Sequence, residues 1–194
     1  MAALAAAGFG LAADWSGRVP ATPPAASRVG AQLARVDGPP LPSEVPPAIG
    51  VVPLRISIPA LALDVPVVPA STVDGVLVPP SDPQQLGWWR DGARVGSSQG
   101  RVLLTGHTVH TGGGALDHLG DLSVGDRLVV STVDGPVAYA VESVGHYPKQ
   151  TLASSAAATF SQTGPPRLVL VTCERWNGRS YDGNTVVVAR PVAY

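Results

Sequence analysis

The chain has 194 residues, of which 45% are apolar and only 14% charged, against the ~25% charge usual in globular domains. A formal charge of -1 with no cluster of Lys or Arg argues against a nucleic-acid partner. A single Cys excludes an intramolecular disulfide, and 22 Gly with 20 Pro favour short strands and turns over long helices.

Residues 1–13, MAALAAAGFGLAA, are apolar and uncharged. They are shorter than the ~17–25 residues of a membrane-spanning helix and lack the basic region that opens a signal peptide. Three readings stand: a truncated signal-anchor whose start lies upstream, the apolar part of a signal peptide, or an Ala-rich start. Residues 14–50 are rich in Pro, Ala and Gly and end in GPPLPSEVPPAIG. Such a segment buries too little apolar surface to fold, and its prolines favour an extended spacer. An apolar start followed by a stiff linker suits a domain tethered outside a membrane; an ordinary disordered tail is the alternative.

From residue 51 the pattern changes. VVPLRISIPALALDVPVVPA alternates around Leu54, Ile56 and Ile58, the period of a half-buried strand. Prolines at 53, 59, 66 and 69 are expected to confine these strands to edges or bulges. Further strands are expected at 76–78, 102–105, 127–131, 137–144, 168–172 and 185–189. Turn signals separate them: VDG at 73–75, SVGD at 123–126, VDG at 133–135 and YDGN at 181–184. Helical hints are confined to 114–120 and 152–159. Six to eight short strands with little helix indicate a closed β-barrel or a sandwich, in one folded domain over 51–194.

Cys173 ends the apolar run LVLVT and precedes ERWNGRSYDGN, which reads as a loop. A thiol at the exit of a core strand is held rigidly yet within reach, the placement a nucleophile needs, although a lone buried Cys is more often inert. To react it needs a group that takes its proton or stabilises the thiolate. Of the four histidines, His107 fits best: in RVLLTGHTVHTGGGALDHL a strand ends at Thr105, Gly106 permits close approach, and the imidazole follows at once. His110 is second. His107 and His110, three apart with no second Cys/His pair, do not make a zinc pattern; phosphate-cradling glycine motifs are absent as well. No metal or cofactor is therefore expected.

LVLVTC ending a strand before TVVVAR, with Leu104-Thr105-Gly106-His107 at the end of an earlier one, resembles the paired signatures of the sortases, cysteine transpeptidases of Gram-positive cell surfaces. LRISIPALALDVPVVP, LGWWRDGARVG and LGDLSVGDRLVV resemble the same domain, especially its class F, actinobacterial type. The resemblance covers about 51–192. It implies an all-β fold: a closed eight-stranded β-barrel with short helices or 3-10 turns, and an active site at one end of two neighbouring strands. It implies Cys173 as nucleophile and His107 as its partner. The third family residue is an arginine near the start of the following strand, where this chain has Asp182; Arg179 is the candidate for its role, with Arg175 next. Thr172, Trp176 and Trp88 are candidates for contact with substrate, although Trp88 and Trp89 read more readily as core or barrel-lid packing.

The implied activity is a two-step acyl transfer at the extracytoplasmic face of the membrane. An LPxTG-type sorting signal is cleaved through a thioacyl intermediate, and the protein passes to an amine acceptor such as a peptidoglycan cross-bridge, or to water. An inactive binding module on the same fold, or another cysteine peptidase, is the alternative. The motif of the L,D-transpeptidases is missing.

Overall fold

A computed structural model describes residues 50–193; the apolar start 1–13 and nearly all of the linker 14–50 lie outside the described residues. Among the described residues no helix is long and apolar enough to cross a membrane.

Eight strands close into a barrel: β1 (Arg55–Ile58), β2 (Leu63–Ala70), β5 (Leu86–Trp89), β6 (Arg101–Thr105), β9 (Arg167–Trp176), β10 (Tyr181–Val192), β8 (Gly135–Pro148) and β7 (Arg127–Thr132), in that order around the wall. The ring shuts where β7 returns to β1, with Ile56 opposite Val130. Neighbours are antiparallel except β2 with β5 and β6 with β9, which run parallel. A two-stranded ribbon, β3 (Thr72–Val73) with β4 (Val76–Leu77), stands apart from the barrel, so the strand expected at 76–78 is a ribbon arm. The one α-helix among the described residues, α1 (Lys149–Thr159), connects β8 to β9 and starts three residues earlier than its sequence suggests. The helical hint at 114–120 is realised only as a 3-10 turn over Leu119–Asp121.

The interior is filled by Ile56, Ile58, Leu86, Leu104, Leu128, Tyr139, Leu168, Leu170 and Val187 among others. A second apolar layer lies outside the wall, where Leu152, Ala156 and Phe160 pack on Leu103, Val169, Val171 and Val186. This explains the unbroken run LVLV. Leu168 and Leu170 face the barrel interior while Val169 and Val171 face the α1 layer, so both sides of β9 are dry and no alternation appears.

The prolines of β2 sit in a closed wall, not at an edge. Val67 N–H donates to Leu54 O on the β1 side. By alternation, the missing donor of Pro66 points toward β5, whose pairing starts only at Val67↔Leu86, and that of Pro69 points toward β1, whose pairing has ended at Arg55↔Pro66. Each proline thus falls where its neighbour strand is missing.

The segment after Cys173 corrects the loop expected there. β9 continues to Trp176 and β10 begins at Tyr181, leaving only 177–180 as a turn. Cys173 therefore lies inside a strand, three residues short of its end.

Candidate active site

β6 ends at Thr105, and Gly106 turns the chain inward beneath Leu86 and Leu116. A Cβ at position 106 would overlap Leu86 Cδ2 and press on Leu116, so glycine is needed for close approach. His107 follows, 3% exposed. Its Nε2 lies 2.5 Å from the Pro80 carbonyl oxygen. A carbonyl only accepts, so Nε2 carries the hydrogen and Nδ1 is left with its lone pair, buried and without a hydrogen-bond partner. That is the tautomer a proton acceptor requires.

The loop after His107 is held from within. Asp117 accepts the N–H of Val109 at 2.7 Å and of Gly114 at 2.9 Å, and Leu116 N–H donates to His107 O at 3.0 Å. Thr172 locks this loop to β9: its hydroxyl donates to Gly106 O at 2.9 Å and lies 2.8 Å from the Thr108 hydroxyl. Thr172 is 3% exposed with its hydroxyl engaged, so it ties the two strand ends together.

Cys173 is 1% exposed and faces the α1 side of the wall, as Val169 and Val171 do two and four residues before it. Directly across on β10 stands Asn184. Its Nδ2 donates to Thr172 O at 3.1 Å and lies 3.9 Å from Cys173 Sγ, while Oδ1 is buried without a partner. Tyr181 packs against Cys173 and donates its phenol to Thr108 O at 2.8 Å. Burial pushes that phenol's pKa up, and the neighbouring Cys173 adds to the rise. Trp176 meets Tyr181 edge-on, ring centres 5.1 Å apart, and stacks on His110 at 4.2 Å with planes 8° apart. Trp176 is 40% exposed and forms an open aromatic wall beside the thiol.

The arginines fall elsewhere. Arg175 adopts φ +59, and its Nη2 covers the face of Gly183 on which a Cβ would project. Its Nε lies 3.8 Å from Glu174 Oε1. Glu174 and Gly183 alternate to the face opposite Cys173 and Asn184, where Glu174 accepts from Thr185 at 2.6 Å and pairs with His146 at 2.5 Å. Arg179 sits on the exposed turn 177–180, tied by its backbone N–H to Asn177 Oδ1. At ~3.3 Å per residue the turn begins about 13 Å along the hairpin from Cys173. Asp182, at the place of the expected arginine, accepts from Asn177 Nδ2 at 2.7 Å and so braces the same turn. Trp88 is buried in the barrel core and donates Nε1–H to Ala93 O at 3.1 Å; of its two readings it takes the core one.

The structure therefore ties the start of the His107 loop to Thr172, next to Cys173, sets Trp176 at the rim and Trp88 in the core, and leaves Arg179 exposed on the turn. Asn184 and Tyr181 were missed by sequence reasoning. Their signal was the run YDGNTVVV, whose turn-like opening hid the start of a strand. Among the described residues no group of three His, Cys, Asp or Glu is placed to hold a metal ion.

A family profile described as the Sortase domain matches residues 56–192. Similar solved structures include Streptococcus agalactiae sortase C1 in complex with MTSET, at 19% identity over 72% of this chain and 67% of that one, TM-score 0.54. Sortase C-1 from Actinomyces oris is similar at 20% identity over 72% and 73%, TM-score 0.54. Sortase A from Corynebacterium diphtheriae is similar at 20% identity over 78% and 63%, TM-score 0.56. At these identities the likeness establishes the barrel fold. Among curated proteins none matches the chain in sequence.

Proposed function

We propose, from the premise that this chain belongs to the sortase family of cysteine transpeptidases, that Cys173 is its nucleophile and His107 its general base and acid. We further assign it to the class F, actinobacterial type. The domain over 51–194 would work at the extracytoplasmic face of a Gram-positive cell membrane, carried by the linker 14–50 and tethered through 1–13.

The observation that carries this reading is the buried lone pair of His107 Nδ1, fixed by the Nε2–H bond to Pro80 O, two residues after the end of the strand that runs beside β9, which bears Cys173. His107 takes the thiol proton, and the thiolate attacks the carbonyl carbon of Thr in an LPxTG-type peptide. The tetrahedral oxyanion collapses, the Thr–Gly C–N bond breaks, and the imidazolium gives its proton to the leaving glycine amine. An amine acceptor such as a peptidoglycan cross-bridge then attacks the thioester as its proton passes to His107, the C–S bond breaks, and the departing thiolate regains the proton from His107; water in its place gives the hydrolysis of a cysteine peptidase. Trp176 lines the peptide groove and Thr172 fixes the backbone of the nucleophile. Arg179, the sequence candidate for oxyanion stabilisation, is assigned to the rim of the groove, where its charge meets the peptide rather than the thiol.

The test is incubation with an LPxTG peptide and a triglycine acceptor, followed by mass spectrometry. A thioacyl adduct on Cys173 and a transpeptidated product are expected, both lost in Cys173→Ala. Turnover that persists in that variant would sink the mechanism. The absence of an arginine opposite Cys173 gives a second reading its footing, a sortase-fold binding module that has lost activity: that reading expects peptide binding without an adduct.

A further inference from the structure

We propose that Asn184 serves the reacting sulfur: one Nδ2 hydrogen donates to the Cys173 thiolate and, once the sulfur is bonded to carbon, to the oxyanion that grows beside it. The inference rests on the transpeptidase reading above for its catalytic part, and on geometry alone for its thiolate part.

Cys173 and Asn184 are opposed residues on antiparallel β9 and β10, so their side chains leave the sheet on the same face. Asn184 is 1% exposed, on a short side chain whose position the barrel wall fixes. An amide nitrogen has two hydrogens, and two acceptors stand before it: Thr172 O at 3.1 Å and Cys173 Sγ at 3.9 Å. The Thr172 carbonyl sets the orientation, because a flipped amide would put Oδ1 against another oxygen. The second hydrogen is thereby left for sulfur. A thiolate accepts a hydrogen bond far better than a thiol, so this donor favours the charged form.

Arg175 lies on the Glu174 face, and Arg179 is exposed on the turn 177–180. Tyr181 on β10 packs against the thiol, and His107 follows the end of the neighbouring strand β6. Asn184 Oδ1 has no partner in its buried site. An unpaired buried acceptor is costly, and a peptide N–H entering beside Cys173 would satisfy it. One amide thus offers a donor to the reacting sulfur and an acceptor to the substrate backbone.

The test is the pH dependence of iodoacetamide alkylation at Cys173 in wild type and Asn184→Asp, which keeps the shape but loses both donors. The midpoint is expected to rise by about one pH unit or more, equivalent to a tenfold loss of thiolate preference. The transpeptidation kcat is expected to fall at least about tenfold with KM within about threefold, the pattern of a group that acts on the reacting atoms. Circular dichroism verifies the fold. If that variant does not fold, the wild type decides by side-chain amide NMR. The Asn184 Nδ2 protons should shift through the alkylation midpoint, and Cys173→Ser should remove the shift from that range.

An unchanged midpoint with unchanged kcat in a folded Asn184→Asp, or Nδ2 resonances indifferent to thiol ionisation, overturns the proposal. A wild type that forms no thioacyl adduct overturns the transpeptidase reading and the oxyanion part of the role. The alkylation and NMR results then decide the thiolate part by themselves.

Discussion

His107 and Cys173 lie two residues beyond the last paired rung of the neighbouring parallel strands β6 and β9. The β6–β9 ladder holds one register from Arg101↔Arg167 to Thr105↔Val171, an offset of 66 residues. The same 66 residues separate His107 from Cys173. Two residues past the last rung, with Gly106 N–H reaching Val171 O at 3.4 Å and the Thr172 hydroxyl donating to Gly106 O, both side chains are carried at the same end of the barrel wall. The spacing between the motifs is thus the register of a ladder. Replacing the imidazole removes the proton acceptor and leaves the ladder intact, so His107→Ala should lower kcat by ~10²–10⁴ without loss of folded structure. Steady-state transpeptidation alongside circular dichroism checks this; near-wild-type turnover would exclude His107 as the base.

That alignment depends on Thr172. Its hydroxyl spans the gap beyond the last rung, donating to Gly106 O and meeting the Thr108 hydroxyl. Thr172→Val keeps the shape and leaves Gly106 O without this buried partner, a loss of about 1–3 kcal/mol. Urea denaturation should show that loss, and kcat should fall with it because His107 is no longer fixed against β9. Full stability with full activity would show that the hydroxyl pair carries neither function.

Much of the barrel was legible because one wall face is dry and the other wet: β1 and β7 alternate, and Gly or Asp-Gly marks their turns. β5 escaped this reading. Leu86, Gly87, Trp88 and Trp89 are all buried, Trp88 in the barrel interior and Trp89 in the outer layer, so no period shows. The polar tail of β9 was hidden for the opposite reason. Glu174, Arg175 and Trp176 continue a strand past the packed layers into solvent, where strand residues look like loop residues. The thiol and imidazole stood out in the sequence because each comes at the end of a core apolar run, LVLVT and VLLTG. The charge beside them did not, since which β10 residue faces Cys173 depends on where the turn closes. The turn closes at 177–180 and brings Asn184, not an arginine, to the opposing position.

Arg179 then tests the assignment of the rim. Arg179 is exposed on the turn 177–180, six residues after Cys173 and five before Asn184. An exposed charge of this kind contributes ~1 kcal/mol or less. Arg179→Ala should therefore leave kcat within about fivefold of wild type, with any effect in KM. A kcat loss of about a thousandfold would return the oxyanion role to Arg179.

The barrel interior carries its own pH signature through Tyr139. Burial, opposed by a weaker hydrogen bond from the Gly96 backbone, raises its phenol from 10.0 to about 12. Between those values the unfolded chain has released a proton that the native chain still holds, so stability falls as pH rises. It is fully present below pH 10.0 and gone from this source above about 12. Comparing urea unfolding at about pH 9 and pH 11, Tyr139→Phe should lose about 1 kcal/mol less than wild type over that interval. Equal losses in the two proteins would mean that the phenol titrates alike in both states.

The aromatic wall beside the thiol makes a prediction about binding. Trp176 stacks on His110 and meets Tyr181 edge-on, which joins the loop after His107 to the end of β9 on the open side of the site. Such ring contacts add ~0.5–1.5 kcal/mol each beyond the area they bury. Tyr181 keeps its own anchor on Thr108 O and its packing on Cys173, so losing Trp176 should not disturb the reacting atoms. Trp176→Ala should raise KM for an LPxTG peptide by about three- to tenfold and leave kcat within about threefold, while Trp176→Phe should recover most of the difference. Peptide titration by fluorescence gives an independent measure of the same change. An unchanged KM in Trp176→Ala would remove this wall from the peptide path and leave it the simpler task of shielding the thiol.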